Sequence, residues 1–109
     1  MREAKLARAT RETDITMRLA ILESGAGKFS GSTGIGFFDH MISSFAVHGG
    51  FIIEASVEGD LYVDGHHTVE DTGIVLGKLF AEVLGDRSGI ARFGSAFVPM
   101  DESLAFAAA

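Results

Sequence analysis

The chain has 109 residues, of which 47% are hydrophobic, 22% are charged and none is cysteine. Its length suits one domain with a modest core, and its composition is that of a globular protein, not a disordered one. Because cysteine is absent, disulfides are excluded and any metal ion must be held by nitrogen and oxygen ligands. The formal net charge of −6 argues against a nucleic-acid groove, which needs clustered Lys and Arg.

The apolar pattern indicates neither membrane association nor export. Charged residues, His or Gly interrupt every hydrophobic stretch before the roughly 18 residues that a membrane helix requires. Residues 1–14 alternate charged and small side chains and lack the apolar block of a secretory signal. The sequence therefore predicts a cytoplasmic protein with no membrane and no nucleic acid among its partners.

Glycine-rich turns divide the chain into segments whose apolar spacing indicates strands or helices. Basic residues spaced along positions 2–11 are typical of a solvated strand. After it, the predicted elements are, in chain order, a strand at 15–22 with a hairpin partner at 28–33, a helix at 37–48, hairpin strands at 51–58 and 61–64, a helix at about 66–84, a strand at 92–98, a turn at 99–102 and the start of a further strand at 103–109. This β-β-α-β-β-α order with an added hairpin predicts an α+β fold, a two-layer sandwich with helices on one face of a mainly antiparallel sheet.

Each predicted helix has an apolar stripe and is followed by glycine. The first is expected to end at Gly49 and the second at Gly85. Spacing of i, i+3, i+4, i+7 and i+8 predicts a buried stripe on the first helix, made of Phe37, Phe38, Met41, Ile42 and Phe45. The expected buried side of the second helix consists of Val69, Gly73, Leu76, Phe80, Val83 and Leu84.

The four histidines lie between positions 40 and 67, and two of them open the second predicted helix. His66 and Glu70 are four residues apart and face the same way, so both can reach one metal ion. His67 is turned by about 100° and could instead serve a second ion. Imidazole and carboxylate ligands without thiolate suit Mn, Fe, Co, Ni or Zn. The alternative is a polar first turn in which acidic side chains favour the helix dipole, and spacing alone does not separate the two.

The other two histidines, His40 and His48, lie eight residues apart on the first predicted helix, within about 80° of the same face. A pair at this spacing is a weak metal signal. The alternative interpretation of each is a histidine at a helix end that bonds to the backbone.

Four segments of the chain carry a family resemblance, in order and over nearly its whole length. They are RETDI at 11–15, TGIGFFDHM at 33–41, HHTVEDTGI at 66–74, and GIARFG at 89–94 followed by PMDE at 99–102. These segments closely resemble the imidazoleglycerol-phosphate dehydratase family. The resemblance implies a hydro-lyase of L-histidine biosynthesis, which converts D-erythro-imidazoleglycerol phosphate into imidazole acetol phosphate and water. It also implies two Mn²⁺ ions and assembly into a homo-oligomer, a shell of 24 subunits in the family.

The resemblance assigns candidate roles by matching motif. His66 and Glu70 resemble the ligands of one Mn²⁺, and His40 and His67 resemble those of the other. Glu12 resembles a substrate-contacting glutamate and is, with Glu70, a candidate catalytic acid or base. The implied substrate-binding set is Glu12, His40, His48, His66, His67, Glu70 and Arg92, with the arginine suited to the phosphate.

The resemblance places the chain in the N-terminal part of a duplicated, ribosomal-protein-like α+β fold. Residues 1 to about 90 are expected to form the first repeat of a single domain, and about 91–109 the opening hairpin of the second. Because the family's second histidine doublet does not occur within these residues, each metal ion receives two candidate ligands from the chain. Two hypotheses stay open, an active dehydratase and a catalytically silent metal-binding half-unit that self-associates through its uncovered face and sheet edge. A nucleic-acid-binding domain of similar topology is disfavoured by the net charge.

Overall fold

The computed structural model describes residues 2–109, which form six strands and two helices. These are β1 (Arg2–Ala9), β2 (Thr13–Ile21), β3 (Lys28–Ser32), α1 (Gly36–Gly49), β4 (Phe51–Gly59), α2 (His66–Leu84), β5 (Ser95–Met100) and β6 (Ser103–Ala108). Strands β1 to β4 form one sheet in the order β1-β2-β4-β3, while β5 and β6 form a separate two-stranded sheet. The predicted α+β class is confirmed.

The core lies between the four-stranded sheet and the two helices. Along β2 and β4, alternate side chains point towards the helices, as the two-residue period of a strand requires. Ile15, Leu19 and Ile53 are fully buried on this face. On the opposite face Arg18 forms ion pairs with Glu3 and Glu54. Since α2 contacts β1 and β2 while α1 contacts β3 and β4, the helices form a single layer over the sheet.

The third strand pairs differently from the prediction. Residues 28–33 were expected to form a hairpin with the strand before them, but β3 pairs in parallel with β4, from Lys28↔Ile52 to Ser32↔Ser56. Parallel neighbours need a crossover connection, and α1 supplies it between β3 and β4. The hairpin prediction was wrong because local spacing does not distinguish a hairpin strand from the first strand of a β-α-β unit.

The predicted hairpin strand at 61–64 is absent from the described chain, which instead makes a turn at 60–63. Strand β4 already has β2 on one side and β3 on the other, so no edge is open beside it for a further strand. The turn is closed by a 2.9 Å hydrogen bond that the Val63 N–H donates to the Asp60 carbonyl. It carries the chain directly into α2, whose bounds agree with the predicted helix.

The buried faces of the two helices differ from those predicted. On α1, Ile42 and Ala46 are buried, whereas Phe37 is 65% exposed. On α2, Val83 is buried, and it is the one buried residue among those predicted for the inward side of this helix. The buried residues of α2 are Thr68, Asp71, Thr72, Val75, Leu79 and Val83. Both helices also carry apolar side chains towards each other. Several of these line a groove between the helices, here named the interhelical groove: Phe38, Met41, Ile42, Phe45, Val69 and Leu76.

The C-terminal hairpin begins later than predicted. Strand β5 begins at Ser95, not at residue 92, and continues to Met100, which leaves Asp101 and Glu102 as the turn. Within the described chain β5 and β6 pair with each other alone, and all of residues 95–109 are exposed. The assignment of this hairpin to a second repeat stays a prediction. Neither α1 nor α2 combines the length and the apolarity needed to span a membrane, and these are the helices of residues 2–109.

Candidate functional site

Three segments meet at one end of the four-stranded sheet. They are the β1–β2 turn, which carries Glu12, the end of β4 and the start of α2. Because β2 and β4 are antiparallel, Thr13 at the start of β2 lies opposite Gly59 at the end of β4. The Asp60 N–H donates a 3.0 Å hydrogen bond to the Glu12 carbonyl, which fixes the turn beside the chain that leads into α2. Glu12 therefore lies at the same end of the sheet as the histidine doublet.

The first pair of functional side chains, His66 and Glu70, lies one helical turn apart on α2. The Asp64 carboxylate accepts a 2.8 Å hydrogen bond from the His66 N–H and so fixes the start of the helix. The His66 Nε2 lies 2.8 Å from the Glu70 Oε2, and both side chains are exposed. Their donor atoms thus converge on one point at the surface, as the i, i+4 spacing predicts. Two such atoms can chelate one cation.

The second histidine of the doublet points to a different partner. The His67 Nδ1 lies 2.7 Å from the Oδ2 of Asp60, whose side chain is 9% exposed. This hydrogen bond raises the pKa of His67 above its usual value, against the opposing effect of burial, and the negative charges of Asp60, Glu12 and Asp64 raise it further. The charge of Glu12 thus acts on His67. The rings of His66 and His67 are tilted by 59°, with centroids 5.4 Å apart, so the two histidines do not share a direction.

A buried polar contact behind the doublet holds α2 against the sheet. The Thr13 Oγ1 donates a 2.6 Å hydrogen bond to the Oδ2 of Asp71, which is buried. The Arg8 Nη1 lies 3.2 Å from the same oxygen. Strands β1 and β2 are therefore both tied to the second turn of α2. Because Thr13 follows Glu12 in sequence, the contact also limits how far the β1–β2 turn can move relative to the doublet.

The start of α1 lies close to the turn that precedes α2. A Cβ on Gly34 would lie 2.7 Å from the Leu61 Cδ1, and one on Gly65 would lie 3.1 Å from the Ile35 Cδ1. Asp39 fixes this end of α1, since its Oδ1 accepts a 2.8 Å hydrogen bond from the Thr33 N–H. The next residue, His40, is exposed at the start of the second turn of the helix. The two helices that carry the candidate ligands therefore begin at the same end of the sheet.

The structure does not bring every candidate residue together. His48 lies at the far end of α1, about 12 Å along the helix axis from His40 at 1.5 Å per residue. Arg92 lies between α2 and β5, with its guanidinium carbon 5.7 Å from the Phe93 ring centroid. Neither residue is hydrogen-bonded or ion-paired to the doublet, Glu12 or Glu70 within residues 2–109. In that same part of the chain, no three His, Asp or Glu side chains converge as a ready metal cluster. The proposed ligand and substrate roles stay predictions.

Two residues of the site were missed by the sequence analysis. Asp60 falls between the hairpin strands predicted at 51–58 and 61–64, and Asp71 is one of the acidic side chains that the sequence relates only to the helix dipole. The contact of Asp71 with Thr13 joins segments that are 58 positions apart in sequence. The contact of Asp60 with His67 depends on how the end of β4 lies against the start of α2. A signal was present for Asp60, which is an acidic residue placed between the end of a strand and a histidine-bearing helix. For Asp71 there was no such signal, because its neighbours Thr72 and Gly73 do not indicate which residue it contacts.

Comparison with known proteins identifies related chains. The family model described as imidazoleglycerol-phosphate dehydratase matches residues 33–109. The imidazoleglycerol-phosphate dehydratase of Methanosarcina mazei is 60% identical over 105 residues, covering 96% of this chain and 54% of the relative. That of Gluconobacter oxydans is 55% identical over 103 residues, covering 94% and 51%. The chain thus spans about half the length of the curated relatives it matches.

The fold has a counterpart among solved structures. The crystal structure of imidazoleglycerol-phosphate dehydratase from Staphylococcus aureus matches with a TM-score of 0.75 and 30% sequence identity. The match covers 97% of this chain and 56% of the other. The likeness therefore extends over the sheet, both helices and the C-terminal hairpin.

Proposed function

Because the chain belongs to the imidazoleglycerol-phosphate dehydratase family, we propose that its histidine-rich end takes part in removing water from imidazoleglycerol phosphate in histidine biosynthesis. The observation that carries this proposal is the grouping of two histidine–carboxylate pairs beside Glu12 at one end of the sheet. The relatives are named as dehydratases, which are hydro-lyases. A cytoplasmic location remains a prediction.

The donor set at this end fits Mn²⁺, the cofactor that we propose. His66 and Glu70 offer a nitrogen and an oxygen that converge on one point. His67 keeps its Nε2 available because its Nδ1 is bonded to Asp60, and we assign it with His40 to a second ion. Imidazole and carboxylate suit Mn²⁺, which favours about six ligands. The remaining positions would be filled by water, substrate or residues of another polypeptide.

The chemistry requires hydroxide to leave the carbon next to the substrate's imidazole ring and a proton to leave the neighbouring carbon. The enol that results takes up a proton at the ring-side carbon and becomes the ketone of the product. A metal ion bound to the ring nitrogens would stabilise the negative charge that the ring acquires. Glu12 lies in an open depression with Tyr62 and the end of β4, where its carboxylate can accept a proton from the substrate and return one to the leaving oxygen. We assign Glu12 this role. Arg92 is proposed to bind the phosphate, as guanidinium groups do through paired hydrogen bonds.

Self-association is a further part of the proposal and is favoured by the interhelical groove. Its wall is apolar, and Phe45 and Val69 are 45% and 43% exposed there. The apolar side chains of the C-terminal hairpin are exposed as well. Exposed apolar patches of this kind mark interaction surfaces. The same observation supports the second candidate function, a self-associating metal-binding half-unit without turnover.

A dehydratase assay combined with metal analysis separates these functions. The purified chain would be loaded with Mn²⁺, dialysed, analysed for bound metal and incubated with imidazoleglycerol phosphate. Formation of imidazole acetol phosphate would establish the dehydratase and exclude the silent half-unit. Bound Mn²⁺ without product would favour the half-unit. A chain with neither bound metal nor product would overturn both.

A further inference from the structure

Asp60 is a buried carboxylate that faces a single described partner. The residue is 8% exposed, its Oδ2 lies 2.7 Å from the His67 Nδ1, and its Oδ1 is buried without a hydrogen-bond partner within residues 2–109. Removing a carboxylate from water is costly unless it is paired and hydrogen-bonded. Among residues 2–109, His67 supplies the one hydrogen bond that this carboxylate receives, so the fold favours keeping the two side chains in contact.

The backbone holds Asp60 in place independently of His67. Its N–H donates to the Glu12 carbonyl at 3.0 Å, and its own carbonyl accepts from the Val63 N–H at 2.9 Å. Directly before it, a Cβ on Gly59 would lie 2.0 Å from the Oγ1 of Thr68 on α2. The end of β4 is thus pressed against the helix that carries the doublet. The carboxylate is fixed in position in the protein without any ligand.

A fixed carboxylate has a defined chemical effect on a neutral imidazole. An ionised carboxylate is only an acceptor, so the ring nitrogen that faces it must carry the hydrogen. We propose that Asp60 is a positioning residue that holds neutral His67 in its Nδ1–H tautomer and turns the Nε2 lone pair outwards. Such a lone pair can bind a metal ion or accept a hydrogen bond from a substrate. That this lone pair binds a metal ion or a substrate rests on the proposed function. The assignment of the Nδ1–H tautomer to His67 does not depend on that function.

The neighbouring histidine provides an internal contrast. His66 presents its Nε2, not its Nδ1, to a carboxylate, that of Glu70. By the same rule, neutral His66 in the metal-free protein should carry its hydrogen on Nε2. Adjacent histidines of one helix are therefore expected in opposite tautomers. A purely structural role for Asp60, such as supporting the turn at 60–63, requires no particular tautomer of His67.

Ring-nitrogen NMR tests the inference directly. Long-range ¹H–¹⁵N correlation spectra of the metal-free chain would be recorded at about pH 8.5, where histidine is mostly neutral. We expect Nδ1–H for His67 and Nε2–H for His66. Asp60→Asn should release the His67 preference, because an amide can donate to Nδ1 as well as accept from it, and should leave His66 unchanged. Asp64→Asn is the matched control, since Asp64 bonds to the His66 backbone and should leave the His67 tautomer as it is.

Two results would overturn the inference. One is an Nε2–H tautomer for His67 in the unsubstituted chain, a result that does not depend on how any variant folds. The other is an unchanged His67 tautomer in folded Asp60→Asn protein. Titration calorimetry with Mn²⁺ then separates the inference from the proposed function. If the chain binds Mn²⁺, Asp60→Asn should weaken binding by about 10–100-fold, as loss of an outer-shell partner does. If the chain has the expected tautomers but binds no Mn²⁺, the positioning role stands and the proposed metal site is wrong.

Discussion

Thr13 and Asp71 are joined by a 2.6 Å hydrogen bond across 58 positions of sequence. The bond links the first residue of β2 to α2, the helix that carries the histidine doublet. Because Glu12 precedes Thr13 and Glu70 precedes Asp71, each end of the bond lies beside a candidate catalytic residue. This buried contact, together with the hydrogen bond from the Asp60 N–H to the Glu12 carbonyl, sets the position of the acid/base candidate relative to the doublet.

Thr13→Val tests the strength of this contact. The substitution keeps the shape of the side chain but leaves the buried Asp71 carboxylate without its hydroxyl donor. We expect the free energy of unfolding to fall by about 1.5–3 kcal/mol, the net contribution of a hydrogen bond to a charged group, since Arg8 still faces the same oxygen. Urea denaturation followed by circular dichroism would measure it. Thr16→Val, on the exposed face of the same strand, should change stability by no more than about 0.5 kcal/mol. Equal effects of the two substitutions would contradict the assigned role.

Gly59→Ala tests the close approach of β4 to α2. The added Cβ would lie 2.0 Å from the Oγ1 of the fully buried Thr68, which cannot move aside. We expect destabilisation of about 1–3 kcal/mol from overpacking. Gly77→Ala is the control, because its Cβ would meet nothing within 4 Å in the interior of α2. That substitution should stabilise the chain by about 0.5–1 kcal/mol in the same denaturation experiment. A neutral Gly59→Ala would show that the contact is looser than described.

Glu70→Gln tests the proposed chelating pair. Replacing the carboxylate removes the charged oxygen that lies 2.8 Å from the His66 Nε2. We expect Mn²⁺ affinity to fall by at least the 10–100-fold that loss of an outer-shell partner causes. Free Mn²⁺ measured by electron paramagnetic resonance gives the affinity. Glu82→Gln, an exposed position three turns further along α2, should bind Mn²⁺ as the unsubstituted chain does. Undiminished binding by Glu70→Gln would remove this residue from the ligand set.

The stability of the chain should depend on pH through His67 and Asp60. Their hydrogen bond raises the pKa of His67 in the folded state. The stabilisation is therefore fully present below the ordinary histidine pKa of about 6.5 and is lost as pH rises through the raised value. We expect His67→Gln to destabilise the chain more at about pH 5.5 than at about pH 8.5. In the Asp60→Asn variant, His67→Gln should destabilise the chain equally at the two pH values. A larger effect at about pH 5.5 in that variant would show that Asp60 is not the cause of the pH dependence.

Met41→Glu tests self-association through the interhelical groove. The substitution places a charge on the apolar wall that Met41 shares with Phe38 and Val69. We expect the sedimentation coefficient to shift from that of an assembly towards that of a monomer. Val47→Glu, on α1 but outside the groove, should leave the sedimentation profile unchanged. An unsubstituted chain that sediments as a monomer at all concentrations would contradict the proposal.

Much of the fold follows from the local sequence pattern. The predictions that were wrong have a common physical cause. The helix at 66–84 and the i, i+4 pair of His66 and Glu70 depend on helical periodicity alone, and both agree with the structure. The parallel pairing of β3, the turn at 60–63 and the buried faces of the helices depend on which elements become neighbours. The Asp60–His67 contact belongs to the same class, because it requires both the end of β4 and the start of α2. Neither periodicity nor spacing in one sequence encodes such neighbours.

The central claim is that Glu12 moves the proton at the histidine-rich end of the sheet. The most direct test compares the rates at which the Mn²⁺-loaded chain and its Glu12→Gln variant form imidazole acetol phosphate. The account predicts turnover by the unsubstituted chain and by the Glu82→Gln control, and at least a 100-fold loss in Glu12→Gln, the lower limit typical of a general acid–base group. The Glu12→Gln protein should keep its Mn²⁺ affinity, since Glu12 is not among the proposed ligands. Equal turnover by the Glu12→Gln variant and the unsubstituted chain would contradict the claim that the proton is moved at this end of the sheet.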